Sequence, residues 1–213
     1  MNKLFILVLG FVSMTSYAQT FKNWSLGIVA VNRTESVDPD HREFNILPGI
    51  LAKKHFSDFS IRIGFEQTKH SQIHSENLSN ALVDTKTRDE KMLKAGVEHA
   101  FTLFGAVHPF VAVEGVFLHE NFKHRYLGTS FAGADDHLSV SKSTAIGLLP
   151  SVGINWEITD QFTVAYELRY FVLYRNEKLT STDYRENLVR NTTSADWITR
   201  FRPLGALSFS VKF

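Results

Sequence analysis

The sequence predicts an all-β chain that folds as an eight-stranded antiparallel up-and-down transmembrane β-barrel. Three observations lead to this prediction. Apolar residues recur at every second position along most of the chain, which is the period of a β-strand. The connections between the predicted strands alternate between long and short. Hydrophobic residues make up 44% of the chain, yet its mean hydropathy is slightly negative, which argues against a bundle of transmembrane helices.

The N-terminal segment, residues 1–18, is predicted to be a secretory signal peptide. An apolar run over residues 4–12 follows a lysine, and Ser16 and Ala18 place small side chains at the third and first positions before a cleavage site. The apolar run is too short to cross a membrane as a helix. We therefore expect export, cleavage after Ala18, and a mature β-barrel domain over residues 19–213.

The composition of the chain excludes several classes of protein. Its 23 Lys and Arg residues nearly balance 22 Asp and Glu residues, whereas nucleic-acid-binding chains normally carry a basic excess. The high apolar content argues against intrinsic disorder. The chain has no cysteine, so disulfides cannot stabilise it after export. A closed, hydrogen-bonded barrel needs no such crosslinks.

The alternation of apolar and polar residues is clearest in residues 59–66. There an apolar face alternates with a polar or small one, in the order Phe59, Ser60, Ile61, Arg62, Ile63, Gly64, Phe65 and Glu66. Three more segments show the alternation clearly: 146–158, 162–174 and 201–213. Four weaker segments complete a set of eight strands: 24–31, 44–55, 91–101 and 110–122. In the last of these both faces are largely apolar, and Glu114 is assigned to the inner face by analogy with the other strands. Most segments have about ten residues or slightly more, the length that a tilted strand needs to cross a bilayer.

The connections between these strands fall into two groups. Four are long and polar: 32–43, 69–90, 123–140 and 175–196. Three are short: 56–58, 103–108 and 159–161. Long and short connections alternate strictly along the chain. Transmembrane barrels of the outer membrane show this asymmetry, with short periplasmic turns and longer loops outside the cell. A soluble barrel has no physical reason to separate loop lengths by end.

The polar faces of the strands are predicted to point into the barrel. They are rich in small residues, and an eight-stranded barrel is only wide enough for its own side chains. Their charges form a predicted lumenal network, which comprises Arg62, Glu66, Lys94, Glu98, Glu114, Glu167, Arg169, Arg200 and Arg202, with Lys53 on the same face. Buried charge is costly unless it is paired, so we expect this network to be a structural plug. A narrow conducting path is the alternative.

Aromatic residues cluster near the predicted strand ends, where amphipathic rings favour the membrane interface. They comprise Trp24, Phe56, Phe59, Trp156, Phe162 and Phe213 at the short-turn end, and Tyr126, Tyr170, Tyr174 and Trp197 at the other.

Pro48, Pro150 and Pro203 lie inside predicted strands, where proline cannot donate a ladder hydrogen bond. Bulges or strand starts would accommodate them.

The C-terminal residues carry a family resemblance. Phe209, Val211 and Phe213 alternate with polar residues and end in an aromatic. This pattern resembles the terminal strand of the small outer-membrane β-barrel proteins, the OmpA/OmpX-like class of Gram-negative bacteria. The resemblance covers residues 19–213. It implies an outer-membrane location and recognition of Phe209, Val211 and Phe213 by the barrel-assembly machinery.

Candidate catalytic and metal sites are weak. Within strands, the only neighbouring His and carboxylate pairs are Glu98 with His99 and His119 with Glu120, and successive strand residues point to opposite faces. Two closely spaced histidine pairs could suggest a metal, namely His70 with His74 and His119 with His124, but they fit solvated histidines better. We predict no catalytic residue, no metal and no cofactor.

The sequence therefore predicts a non-enzymatic integral outer-membrane protein with a structural or surface-interaction role. Its specificity would lie in the loops 69–90, 123–140 and 175–196, because binding usually resides in loops on a rigid scaffold. The expected partners are outer-membrane lipid, the barrel-assembly machinery and an extracellular partner, and we expect a monomer that binds no nucleic acid. Three alternatives remain open: a narrow passive channel, a lipid-modifying outer-membrane enzyme, and a soluble periplasmic lipid-binding barrel.

Overall fold

A computed structural model describes residues 23–34, 43–57, 59–76, 82–101, 105–130 and 133–213. These residues form eight strands: β1 (Trp24–Thr34), β2 (Glu43–His55), β3 (Phe59–Glu76), β4 (Leu82–Ala100), β5 (Val107–Ser130), β6 (Gly133–Glu157), β7 (Phe162–Asp183) and β8 (Leu188–Lys212). The predicted signal peptide lies outside the described residues. Among those residues, no helix is long and apolar enough to cross a membrane.

The strands form one closed barrel. Each strand pairs antiparallel with the next along the chain, and β1 pairs with β8, for example at Ser25 and Lys212. Around the body of the barrel, closure gives each strand a backbone partner on both sides, whereas β3 beyond Glu66 pairs, among the described residues, only with β4. The predicted fold class, an eight-stranded antiparallel up-and-down barrel, is confirmed.

The barrel turns its apolar faces outward. On β3, the outward Ile61 and Ile63 are 41% and 52% exposed, whereas the inward Arg62 is 1% exposed. A soluble barrel would reverse this orientation; a barrel surrounded by lipid requires it. The outward apolar residues form what we call the apolar belt: Ile50, Ile61, Ile63, Phe65, Leu93, Val97, Val111, Val113, Phe117, Ile146, Leu148, Val152, Ile154, Trp156, Tyr170, Trp197 and Phe201.

The predicted long loops are mostly strand, which corrects the sequence analysis. Strand β3 continues to Glu76 and β4 begins at Leu82, so the 69–90 loop is largely a paired ribbon. The same holds for 123–140 and 175–196, where pairing runs to Ser130 and Asp183. Beyond the belt both faces of a ribbon are solvated, so the period-two pattern disappears although the backbone ladder continues. In the 32–43 loop, the part that lies outside these strands is not described.

Irregularities in the ladders accommodate the three prolines. The pairing of β1 with β2 shifts register between Val29 and Val31, next to Pro48. The pairing of β7 with β8 jumps from Glu167 opposite Ala206 to Arg169 opposite Arg202, which leaves Pro203 in the bulge. Pro150 keeps its register with β5, while the ladder to β7 skips it. Proline has no N–H to donate, and each of these three occupies a position where one of its ladders is interrupted.

Candidate functional site

The interior of the barrel contains a balanced cluster of charges. Its members are four cationic and four carboxylate side chains, each no more than 6% exposed: Lys53, Arg62, Lys94 and Arg169, and Glu66, Glu98, Glu114 and Glu167. A fifth buried carboxylate, Glu90, lies nearer the hairpins and pairs with Arg88 instead. Alternation along each strand sets their direction. Inward glycines make room for them. A Cβ at Gly64 would lie 2.7 Å from Cε of Lys94, and one at Gly49 would lie 2.7 Å from Cγ of Glu66.

Six of these side chains close a circuit of alternating charge, which we call the lumenal ring. In order around the circuit its members are Arg62, Glu114, Lys94, Glu66, Arg169 and Glu167. The successive nitrogen-to-oxygen distances are 3.4, 3.5, 3.1, 2.9 and 3.3 Å, and 3.1 Å back to the first residue. The members come from β3, β4, β5 and β7, so the ring ties together strands that are not neighbours.

Glu98 connects the ring to the rest of the interior. Its carboxylate accepts hydrogen bonds from Nζ of Lys53 at 2.8 and 3.0 Å and from Nδ2 of Asn155 at 3.0 Å. It also lies 3.1 Å from Nη1 of Arg62. The ring of Phe110 faces both cations, at 5.5 Å from the Lys53 ammonium and 5.6 Å from the Arg62 guanidinium. A buried cation gains electrostatic attraction from such an aromatic face.

An apolar layer covers the lumenal ring on the side of the long hairpins. Its members are Met92, Val116, Leu118, Ala145, Leu149, Phe171 and Leu173, each at most 5% exposed. Met92, Val116 and Phe171 lie two positions beyond the ring residues of their own strands, so the layer follows directly above the ring. Because the ring is paired and this layer is apolar, the interior at this level is a packed core rather than a water-filled channel.

Smaller polar groups occupy the two ends of the barrel. At the short-turn end, His55 bridges the hydroxyls of Ser25 and Ser60, with both contacts at 2.9 Å. At the other end, Arg88 lies 2.9 Å from Glu120. Farther out, Asp136 accepts two hydrogen bonds from Arg125 and raises the pKa of that guanidinium above its ordinary value. These outer pairs are more exposed than the ring, so each contributes less to stability.

The structure places most, but not all, of the sequence-predicted lumenal residues together. Seven of them lie in the cluster around the ring: Arg62, Glu66, Lys94, Glu98, Glu114, Glu167 and Arg169. Arg200 is half-buried opposite Phe171, at the level of the apolar layer. The backbone of Arg202 pairs with Arg169, but its side chain lies outside the described residues. Phe110 and Asn155 were not among the predicted site residues, although the strand period already points both inward.

The residues of the predicted C-terminal signal close the barrel. Phe209 pairs with Ile28 on one side and Val164 on the other, and Val211 pairs with Leu26 and Phe162. The amide of Phe213 donates to the carbonyl of Trp24 at 2.8 Å. The last strand therefore forms the seam between the two ends of the sheet.

The histidine candidates do not form a site within the described residues. Glu98 is buried inside the barrel, whereas His99 lies on its outer surface. His124 contacts Asp84 at 2.7 Å, a single pair rather than a cluster. In the described part of the chain, no group of three His, Asp or Glu side chains could hold a metal ion.

The architecture defines a class of protein. A closed ring of eight antiparallel strands, with an apolar exterior and an interior filled by paired charges, is the architecture of a small outer-membrane β-barrel. This is the class that the sequence resembles.

Comparisons with known proteins add little to this assignment. No family model and no curated protein matches the chain. It is similar to the solved structure of Neisserial surface protein A (TM-score 0.44, 15% identity, 89% of this chain and 96% of that one). It is also similar to Ail, the attachment invasion locus protein of Yersinia pestis (TM-score 0.39, 14% identity, 89% of this chain and 96% of that one). A third similar structure is FyuA, the ferric yersiniabactin uptake receptor of Yersinia pestis (TM-score 0.41, 13% identity, 71% of this chain and 23% of that one). The class is therefore assigned from the strand pairing and side-chain directions of the chain itself.

Proposed function

We propose that this chain is an integral outer-membrane protein that presents rigid β-hairpins at the cell surface to an extracellular partner. The observation that carries this proposal is the projection of the strands beyond the apolar belt. Belt residue Phe117 lies midway along β5, which continues to Ser130. At about 3.3 Å per residue, this extension measures roughly 40 Å along the strand. A barrel that only anchored itself in the bilayer would not need it.

The tip of the β7–β8 hairpin exposes apolar side chains. Tyr184, Leu188 and Val189 are 53%, 38% and 56% exposed. The turn beneath them is ordered, because Oδ1 of Asp183 accepts hydrogen bonds from the amides of Arg185 and Glu186. Exposed apolar side chains on a rigid, water-surrounded hairpin favour a protein or lipid partner, because burying them releases water.

The packed interior supports the same proposal over the channel alternative. The ring and the apolar layer occupy the lumen, so solutes would have to displace paired charges and packed side chains. The remaining accessible surface outside the bilayer lies on the hairpins and the short turns. The hairpins are therefore the part of the molecule best suited to a specific interaction.

Single cysteines test the proposed orientation, because the chain has none of its own. Tyr184→Cys at the hairpin tip should react with a membrane-impermeant maleimide on intact cells. Asp160→Cys in the short β6–β7 turn should react only after the outer membrane is permeabilised, and Ile63→Cys in the belt should not react in either case. Labelling of Asp160→Cys on intact cells would contradict the orientation, and recovery of the protein in the soluble periplasmic fraction would contradict the membrane location.

A tip variant tests the interaction itself. Replacing Tyr184, Leu188 and Val189 by serine removes the apolar tip without altering the belt or the interior. Cells that express the wild-type protein should adhere to a surface more strongly than cells that lack it, and cells that express the tip variant should lose this difference. The control replaces Arg185 and Glu186 by serine on the same turn. Equal behaviour of the tip variant and the wild type would contradict the role of the tip.

A further inference from the structure

We propose that the outer wall of the barrel from β4 to β8 binds one lipid of the outer leaflet, with an acyl chain in a groove and a phosphate above it. The groove has a volume of about 670 Å³ and faces the bilayer. This inference rests on the membrane location proposed above, and it adds a specific lipid class to that location.

The floor of the groove is the bare backbone of the barrel wall. Ala95 and Gly115 are register partners, and Gly115 also pairs with Leu148. Gly115 is an outward position: a Cβ built there would meet only the carbonyl oxygen of Ala95, at an ordinary 3.7 Å. The adjacent outward positions in the belt carry large side chains. The two small residues therefore leave a gap that a flexible chain of methylene groups can fill.

Large apolar side chains form the walls of the groove. Leu93 and Phe117 stand at its upper end, and Ile146, Leu148 and Trp197 border its other side. These side chains are between 49% and 69% exposed. An acyl chain seated among them would contact these side chains as well as the floor of the groove. Such close contact is the main source of affinity where lipid already surrounds the apolar surface.

A lysine and a histidine lie directly above the groove. Lys91 and His119 are register partners, and each is the next outward residue beyond Leu93 and Phe117 towards the hairpins. The rise of two strand positions is about 7 Å, which suits the step from acyl chain to headgroup. Lys69 and Lys123 lie farther out on the same wall; the carboxylate of Asp89 beside them accepts a hydrogen bond from Gln67 at 3.2 Å. The balance of charge above the groove favours an anionic phosphate.

The same charges disfavour a second copy of this chain as the occupant. A two-fold interface across the groove would bring the surface around Lys91 and His119 towards the equivalent surface of the other copy. Like charges would then approach each other at the interface. A lipid phosphate instead meets the ammonium group of Lys91 with opposite charge, and it can accept a hydrogen bond from the imidazole of His119.

Fluorescence of Trp197 gives a direct test, because this residue lines the groove. Trp24 and Trp156 are replaced by phenylalanine, and the protein is reconstituted in phosphatidylcholine vesicles that contain a small fraction of brominated lipid. Brominated phosphatidic acid should quench Trp197 at a mole fraction about tenfold lower than brominated phosphatidylcholine does, the selectivity expected for one hydrogen bond to a charged group. Equal quenching by the two lipids would overturn the proposal.

Variants separate the groove from the headgroup contact. A Cβ at Gly115 would lie an ordinary 3.7 Å from the carbonyl oxygen of Ala95. Gly115→Leu should therefore fill the groove and abolish the preference for phosphatidic acid, whereas Val113→Leu, on the next outward position of β5, should keep it. Lys91→Gln should reduce the preference, and Lys178→Gln on β7 should not. A preference that survives Gly115→Leu would overturn the groove. Crosslinked dimers that Gly115→Leu disperses, without lipid selectivity, would assign the groove to a second copy instead. Failure of the protein to enter vesicles would contradict the membrane location itself, which distinguishes that outcome from the loss of selectivity.

Discussion

Arg169 and Glu66 form a bidentate ion pair across the barrel interior, 103 residues apart in the chain. Nη1 of Arg169 donates to Oε2 of Glu66 at 2.9 Å, and Nη2 lies 2.9 Å from Oε1. Both side chains are almost completely buried. The pair joins β7 to β3, which do not share a backbone ladder. Its two parallel contacts fix the orientation of both side chains, and the rest of the lumenal ring is built around them.

Removing one partner of this pair should strongly destabilise the barrel. Arg169→Gln leaves the carboxylates of Glu66 and Glu167 without their shared cation, and breaking a buried pair in this way typically costs about 3–5 kcal/mol. The double variant Arg169→Gln and Glu66→Gln keeps the charge of the interior balanced, so its cost should be smaller than the sum of the two single costs. Urea unfolding in lipid vesicles measures all three free energies, and additive costs would show that the two residues are not coupled.

The packed interior predicts a closed barrel. The wild-type protein should show no conductance above background in planar bilayers, because neither the ring nor the apolar layer leaves a continuous polar path. The double variant Leu149→Ser and Phe171→Ser truncates two of the seven side chains of the apolar layer but keeps the ring. It should conduct no better than the wild type if the ring alone also closes the lumen. Steady single-channel steps from the wild-type protein would restore the channel alternative.

The direction of side chains was predictable from the sequence, but their cross-barrel partners were not. Alternation alone puts Arg62 inside and Ile63 outside. Nothing in the alternation indicates that Arg169 meets Glu66, because the height of each side chain depends on the stagger between strands. The extension of β7 to Asp183 also could not be predicted, because a ribbon with water on both faces has no hydrophobic period. Phe171 likewise resembles its outward neighbour Tyr170 in hydrophobicity, so the alternation of apolar and polar residues did not indicate the apolar layer.

The outward direction of the belt predicts a position-dependent cost of charge. Ile63 is 52% exposed at a lipid-facing position between two other belt residues of β3. Ile63→Arg should therefore destabilise the folded barrel by about 2–4 kcal/mol if this position lies near the bilayer midplane. Thr193→Arg, on the hairpin beyond the belt, should change stability by no more than about 0.5 kcal/mol. Equal free energies of unfolding for the two variants in vesicles would mean that the belt does not face lipid.

Of two glycines on the same wall, only one should be sensitive to an added methyl group. A Cβ at Gly96 would collide with the carbonyl oxygen of Val113 and lie 2.5 Å from Cα of Glu114. Gly96→Ala must therefore displace β4 from β5 beside the lumenal ring, which should cost about 1–3 kcal/mol, as overpacking usually does. Gly115→Ala adds its methyl group to the open groove and should be close to neutral. The free energy of unfolding in urea compares the two variants under one condition. A neutral Gly96→Ala would show that the strands can separate there at no cost, and the close contact would then not be a constraint on the ring.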